Sequence, residues 1–331
     1  MRVLVIGGTG FIGPHIARRL LERGHKVTVL HRGEMEADLP AEVEHIHTDI
    51  ASVPDKHALE ADAVIHVCAM TQEDAENALR LFRGRTGKLL VLSSGDVYRA
   101  YGVLRGTETG QLEPMPITED SRLRTALYPY RDSMPEYEKI LVERTAMSAA
   151  DLPACIVRLP VVYGPGDRYH RFLGAVKRMD DNRPAILLGT GVAAWRWTHG
   201  YVENIADAIA TAATDPRTSG RIYNLGEAAV PTTAERMSML ADVHGWKGQI
   251  AVVPEDKLPA HLRIPVNFKQ EMAMSTERFR TELGYSDSVS TEQAYERTIA
   301  WERSAPGAAY DAALFDYDAE DRALAKALAQ T

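Results

Sequence analysis

The stretch VLVIGGTGFIG, Val3 to Gly13, decides the fold. Val3–Ile6 is a short apolar run with strand character, and four glycines follow it at positions 7, 8, 10 and 13. HIARRLLERGH then sets Ile16, Leu20 and Leu21 on one helical face before a stop signal at Gly24. Gly8, Gly10 and Gly13 satisfy G-x-G-x-x-G, and Gly7, Gly10 and Gly13 equally satisfy G-x-x-G-x-x-G. The first glycine turns the chain tightly, Gly10 lets bare backbone approach a pyrophosphate, and Gly13 lets the helix pack close to the strand. The helix start adds free N–H groups and the positive end of a dipole. With a strand before it and a helix after it, the turn reads as a dinucleotide site.

Further along come VTVL (Val27–Leu30), VEHIH (Val43–His47), AVIHV (Ala63–Val67), LLVLSS (Leu89–Ser94) and CIVRLPVVYG (Cys155–Gly164). Several are apolar throughout rather than alternating, as strands covered on both faces must be. Strands alternating with helices predict an α/β fold: a doubly wound, parallel, Rossmann-type sheet. After the turn Gly164-Pro165-Gly166 the segments become shorter and more mixed. RIYNLG (Arg221–Gly226) is expected to return to the main sheet, and residues from about Pro231 to form a helical lobe. The expected division is a dinucleotide-binding domain over 1–164, with a returning segment at about 198–226. A smaller, interleaved substrate-binding lobe takes 165–197 and 227–304, and 305–331 form a helical tail, a candidate for contact in a homodimer.

The 331 residues are 45% hydrophobic and 25% charged, ordinary globular usage that excludes a disordered or fibrous chain. Lys plus Arg number 38 against 46 acids, a formal charge of −8, which with no basic block disfavours a nucleic-acid partner. Cys68 and Cys155 are too few for a disulfide framework or a cysteine zinc site. Each sits in an apolar run that predicts a small buried hydrophobe. No apolar run is long enough to span a bilayer and no leader pattern precedes Val3, so a soluble, cytoplasmic protein without membrane contact is expected. His45 and His47, two apart in a strand, face one side, but no third histidine or carboxylate recurs at ligand spacing, so no metal is expected.

The end of the second strand discriminates between dinucleotides. Leu30-His31-Arg32-Gly33 holds no acid before Glu34 to take the ribose hydroxyls, and Arg32 has the planar fork that suits a 2′-phosphate. NADP is the first choice and NAD the second.

These landmarks resemble the extended short-chain dehydrogenase/reductase family, which includes nucleotide-sugar epimerases and dehydratases. GGTGFIG resembles its N-terminal turn, Asp49-Ile50 its adenine-contacting pair, VIHVCA its fourth strand, and LLVLSSGDVY its serine segment. RLPVVYGPGD, YVENIADAIA, RIYNLG and ELGY…TIAWER follow in family order. The sequence is also similar to an atypical subgroup whose members have been labelled epimerases, reductases and even RNA-binding proteins. The resemblance implies cofactor contacts from Gly7, Gly10, Phe11, Ile12, Gly13, His31, Arg32, Asp49, Ile50, Ala69 and Lys139.

In the family a Ser or Thr polarises the reacting oxygen, a Tyr moves its proton, and a Lys holds the nicotinamide ribose and lowers the phenol pKa. Ser94 matches the serine, with Ser93 the fallback, and Lys139 matches the lysine. The Y-x-x-x-K spacing fails, because Pro135 stands where the tyrosine belongs. Tyr137 lies only two residues before Lys139, and residues two apart on a helix do not face each other. It serves only if the helix starts near Lys139; Tyr130 is the other phenol. Where family dehydratases carry two carboxylates after the serine, this chain has Gly95 and Asp96, which disfavours a 4,6-dehydratase and leaves Asp96 for proton transfer or a turn. Tyr130, Arg196 and His199 are implied substrate contacts, and Arg99–Tyr130 reads as a loop closing over substrate. The expected activity is that of an NAD(P)-dependent oxidoreductase or epimerase acting on a secondary alcohol or ketone, of a nucleotide sugar or related small molecule. The rival reading is a nucleotide-binding regulator or RNA-associated scaffold with an incomplete triad.

Overall fold

The computed structural model describes residues 1–55, 59–304 and 312–328. Its strands are β1 (Arg2–Ile6), β2 (Lys26–His31), β3 (Glu44–His47), β4 (Ala63–His66), β5 (Lys88–Ser94) and β6 (Ala154–Leu159), then β7 (Val161–Tyr163), β8 (Ala185–Gly189), β9 (His199–Tyr201), β10 (Ile222–Asn224) and β11 (Gln249–Val253). Its helices are α1 (Gly13–Glu22), α2 (Gln72–Phe82), α3 (Arg99–Arg105), α4 (Lys139–Ala146), α5 (Leu173–Asp180), α6 (Thr190–Ala194), α7 (Val202–Thr214), α8 (Thr233–His244), α9 (Glu277–Leu283), α10 (Thr291–Ser304) and α11 (Tyr317–Leu328).

Seven strands form one parallel sheet in the order β10-β6-β5-β4-β1-β2-β3. Strand alternation covers both faces. Val3 and Val5 join Ile16, Leu20 and Ile205 in one core, on the side of α1 and α7, while Leu4 and Ile6 join Phe82, Val142 and Ala146 in the other, on the side of α2 and α4. This is the predicted doubly wound α/β sheet, and it explains the unbroken apolar runs. The strand order reverses between β1 and β4, so the carboxyl ends of these two strands open onto the crevice where such sheets bind ligands.

CIVRLPVVYG is two strands rather than one. Pro160 has no N–H to give to a ladder, and there the chain leaves the main sheet. The second piece, β7, pairs with β9, and β10 carries the chain back to the sheet edge beside β6. β8 and β11 form a separate parallel pair, on which α11 packs. The buried ion pair of Arg178 with Glu320 ties that terminal helix to α5. Residues 305–311 and 329–331 of the predicted tail lie outside the described residues. Among the described residues no helix is long and apolar enough to cross a membrane.

Candidate functional site

At the crevice, Gly7 adopts φ +78°, and a Cβ there would sit 2.7 Å from Cys68 Sγ. A Cβ on Gly13 would lie 2.5–2.6 Å from the backbone of Gly8, so these two glycines are fixed by close approach of chain to chain. Gly10 differs: a Cβ there meets nothing nearer than Arg168 Nη2 at 3.7 Å. Its bare backbone borders a cleft of about 380 Å³. Among the described residues no side chain caps α1, which leaves the helix start for an anion.

Gly7, Gly10, His31, Arg32, Asp49 and Ile50, named above as cofactor contacts, line this cleft. Phe11, Ile12, Gly13 and Ala69 do not line it. Phe11 and Ile12 pack on the core, Gly13 fits the helix to the turn, and Ala69 is buried with its carbonyl accepting from Lys139 Nζ at 2.6 Å. Cys68 is exposed at the cleft rather than buried, because β4 ends at His66 and the chain turns outward; Cys155 is buried as predicted. His66, missed in the sequence, lies in the wall with Nε2 lacking a partner among the described residues, and burial pushes its pKa down to about 4. A lone histidine inside the apolar run AVIHV was its only signal. An open glycine cradle and an orphaned buried acceptor or donor fit a bound dinucleotide.

A second cavity, of about 420 Å³, opens beyond the end of β5. Strand alternation separates the two serines: Ser94 lines this cavity, whereas Ser93 is buried on the Glu143–Arg158 ion pair. Asp96 is buried at the cavity wall, with the Ser94 hydroxyl capping its N–H at 3.2 Å. Tyr137 Oη donates to Asp96 Oδ2 at 2.8 Å, and Tyr130 Oη lies 3.1 Å from the same oxygen and 2.9 Å from Tyr101 Oη. Among the described residues Asp96 Oδ1 has no partner.

α4 does begin at Lys139, which resolves the failed spacing. Glu138 is the extended cap residue, its carboxylate accepting from Ile140 N at 2.9 Å, and a turn at Pro135–Glu136 delivers Tyr137 from outside the helix. Glu138 is held by a buried ion pair to Arg124 at 3.1 Å. Lys139 is buried with Nζ on the carbonyls of Ala69 and Leu92, at 2.6 and 3.0 Å, and 5.8 Å from the Tyr137 ring centre. It lines neither cleft, but its contacts run from Ala69, between the cleft residues Cys68 and Met70, to Tyr137 on Asp96. Burial lowers its pKa to about 8, against the pull of Asp96. Burial and Asp96 raise Tyr137 far above the ordinary phenol value, Ser94 acting the other way. Burial also raises Asp96, opposed by Tyr137, Arg124 and Lys139.

Of the implied substrate contacts, Tyr130 and His199 line the cavity and Arg196 does not. Arg196 turns to the Val230 carbonyl at 2.6 Å and lies 3.6 Å from Glu235, while Trp197 and Arg171 reach the cavity instead. Strand-like alternation puts 197 and 199 on the side opposite 196. His199 stays neutral, burial lowering it to about 3, with Nδ1 2.8 Å from the Trp197 carbonyl. The segment 99–130 is not loop throughout: Arg99–Arg105 is helical and brings Tyr101 to the cavity.

At the other edge of the sheet, the parallel register supplies the third histidine that spacing along β3 did not show. His31 on β2 is the direct partner of His47.

Residues 3–226 match the model of the NAD dependent epimerase/dehydratase family. The chain belongs to that family. It is 26% identical to a UDP-N-acetyl-alpha-D-glucosaminuronate decarboxylase of Bacillus cytotoxicus over 91% of this chain and 98% of that one. It is 30% identical to a probable UDP-arabinose 4-epimerase of Oryza sativa, over 49% of this chain and 43% of that protein. Among solved structures it resembles a UDP-glucuronic acid 4-epimerase of Bacillus cereus in complex with UDP-glucuronic acid and NAD. The TM-score is 0.67 at 19% identity, with 92% and 99% of the two chains covered. For this epimerase/dehydratase family member the comparisons support NAD dependence and not the NADP placed first. The sequence favours NADP through the Arg32 fork and the missing acid before Glu34; in the structure Arg32 pairs with Glu34 at 2.8 Å.

Proposed function

We propose that this family member is an NAD-dependent epimerase that oxidises and re-reduces a secondary ring alcohol of a UDP-sugar. One observation carries the reading: Asp96, which lines the same cavity as Ser94, accepts from Tyr137 Oη at 2.8 Å, and Lys139 Nζ lies 5.8 Å from the Tyr137 ring centre. The glycine turn would hold the diphosphate, Asp49 and the Arg32–Glu34 pair the adenosine end, and Lys139 the ribose next to the reacting carbon. Bound NAD supplies a hydride acceptor and donor.

The proton side belongs to the chain. Because Tyr137 is raised rather than lowered, its phenol is protonated at neutral pH and already donates to Asp96. Tyr137 takes the alcohol proton while passing its own to Asp96 Oδ2, and returns it on reduction, with Ser94 donating to the reacting oxygen. Asp96, whose protonated form is favoured by burial, is a ready receiver. Gly95 supplies no second carboxylate beside Asp96, so elimination of water is not part of the reading.

The test is to incubate purified protein with UDP-glucose, UDP-glucuronic acid and UDP-arabinose and follow sugar stereochemistry by NMR. An epimer formed with catalytic NAD, and no net NADH, is the expected result. Stoichiometric NADH would replace epimerase with dehydrogenase. Failure to bind NAD(H) or NADP(H) would overturn the enzyme reading and favour a nucleotide-free scaffold.

A further inference from the structure

The edge of the sheet carries a side-chain cluster that the proposed chemistry does not use. In the parallel ladder of β2 and β3, His31 and His47 are direct partners, so both side chains leave the same face, and His45, two residues earlier on β3, shares that face. Glu36 reaches them from the loop after β2. That loop reverses at Gly33, φ +78°, where a Cβ would lie only 3.3 Å from the His47 ring, so glycine allows the fold-back.

The donor atoms are close. His31 Nε2 lies 3.0 Å from His45 Nδ1, His47 Nε2 lies 3.1 Å from Glu36 Oε1, and one ligand atom from each of the four side chains falls within 4.8 Å of the other three. Ligands at about 2.0–2.1 Å from a tetrahedral zinc stand about 3.4 Å apart, so closing the set needs movements of about 1 Å. His45, His47 and Glu36 are exposed and free to make them, while His31 is buried and fixed.

We propose that His31, His45, His47 and Glu36 form a binding site for one divalent transition metal of the zinc class. Three imidazoles and one carboxylate suit a borderline ion such as Zn²⁺ better than the all-oxygen preference of Mg²⁺ or Ca²⁺. Ligation through His31 Nε2 places that ring's proton on Nδ1 and gives up the 3.3 Å contact from the Gly33 N–H. No covalent or redox change is involved. Because His31 also borders the dinucleotide cleft, the metal would stand at the adenosine end, away from Tyr137 and Asp96.

The experiment uses the full chain without a histidine tag. Zn²⁺ is titrated calorimetrically, and the pink-to-blue absorption of Co²⁺ reports coordination number. One equivalent per chain with a tetrahedral Co²⁺ spectrum is expected. The double variant His45→Ala/His47→Ala, whose side chains are exposed, is expected to weaken binding at least about 100-fold, and Glu36→Gln about 10-fold. Both should keep the thermal transition of the metal-free protein. Absence of stoichiometric binding to the wild type, an octahedral Co²⁺ spectrum, or a double variant that binds as tightly as wild type would overturn the site.

Discussion

The cleft at the glycine turn and the cavity beside Ser94 present different material to a ligand. In the first, one segment contributes backbone alone: Gly10 offers bare chain, while a Cβ added at Gly7 or Gly13 would fall under 3 Å from Cys68 Sγ or from the Gly8 backbone. In the second, side chains arrive from distant segments, including Ser94 at a strand end, Tyr130 before α4, His199 on β9 and Met272 before α9, with Tyr137 reaching the wall through Asp96. Backbone recognition leaves little freedom of residue type. Side-chain recognition asks only that the right group be delivered, by whatever route the fold offers.

The comparison breaks most readily at Tyr137. If the delivered phenol is the proton carrier, Tyr137→Phe should cut kcat by about 10²–10⁴ with stability nearly unchanged. Tyr130→Phe, whose hydroxyl also contacts Tyr101, should cost less than about 10-fold. Steady-state rates on the UDP-sugar found active would decide it, and equal losses would sink the assignment of roles.

The glycine turn separates fold from binding in a pair of substitutions. Gly13→Ala drives a methyl onto Gly8 backbone, which cannot step aside, and should destabilise by about 3 kcal/mol in chemical denaturation. Gly10→Ala meets no protein atom within 3.7 Å, so the fold should hold. The added methyl occupies the cradle, and NAD affinity should fall at least about 10-fold by calorimetry, as expected where bare backbone must approach a pyrophosphate. Normal NAD binding by Gly10→Ala would place the diphosphate elsewhere.

The same contrast explains how much was legible beforehand. Val3–Gly13 announced both the fold and its nucleotide cleft because tight chain approach leaves glycine as the only solution. Apolar runs announced a sheet covered on both faces. The cavity was legible only in part: Ser94, Asp96, Tyr130 and His199 were found, but Arg171 was not, and Arg196 faces away. The place of Tyr137 hung on where the helix begins, and its start at Lys139 is a matter of capping by Glu138 and of a turn at Pro135. The histidine cluster was hidden for another reason. Strand register joins residues 31 and 47 across the sheet, and no spacing along one strand contains that information.

Lys139 lies between the two regions and titrates in a useful range. Its folded pKa of about 8 is below the ordinary 10.5, so between those values the unfolded chain holds a proton that the folded one has lost. Stability from this group therefore rises with pH through that window, as the buried ammonium is neutralised. Activity should move the opposite way, falling about tenfold per pH unit above 8 as the ribose loses its cation. The difference between wild type and Lys139→Met isolates both limbs. A variant with the wild-type activity profile would remove Lys139 from the mechanism.

The smallest effect tests whether strand alternation alone divides the two serines. Ser93 and Ser94 are neighbours on β5, yet one hydroxyl meets Glu143 in the core and the other faces the cavity. Glu143 keeps both of its bonds from Arg158, at 2.9 and 2.7 Å, when the Ser93 hydroxyl is removed, so no charge is left unpaired. Ser93→Ala should then cost about 1 kcal/mol of stability, the ordinary value of one hydrogen bond. Its kcat should stay within about 3-fold, whereas Ser94→Ala, which also removes the cap on the Asp96 N–H, should lose about 10- to 100-fold in kcat and about 1 kcal/mol of stability. Denaturant melts and rates measured on the two variants side by side give the comparison. If Ser93→Ala proves the slower enzyme, the cavity is built from the other face of β5.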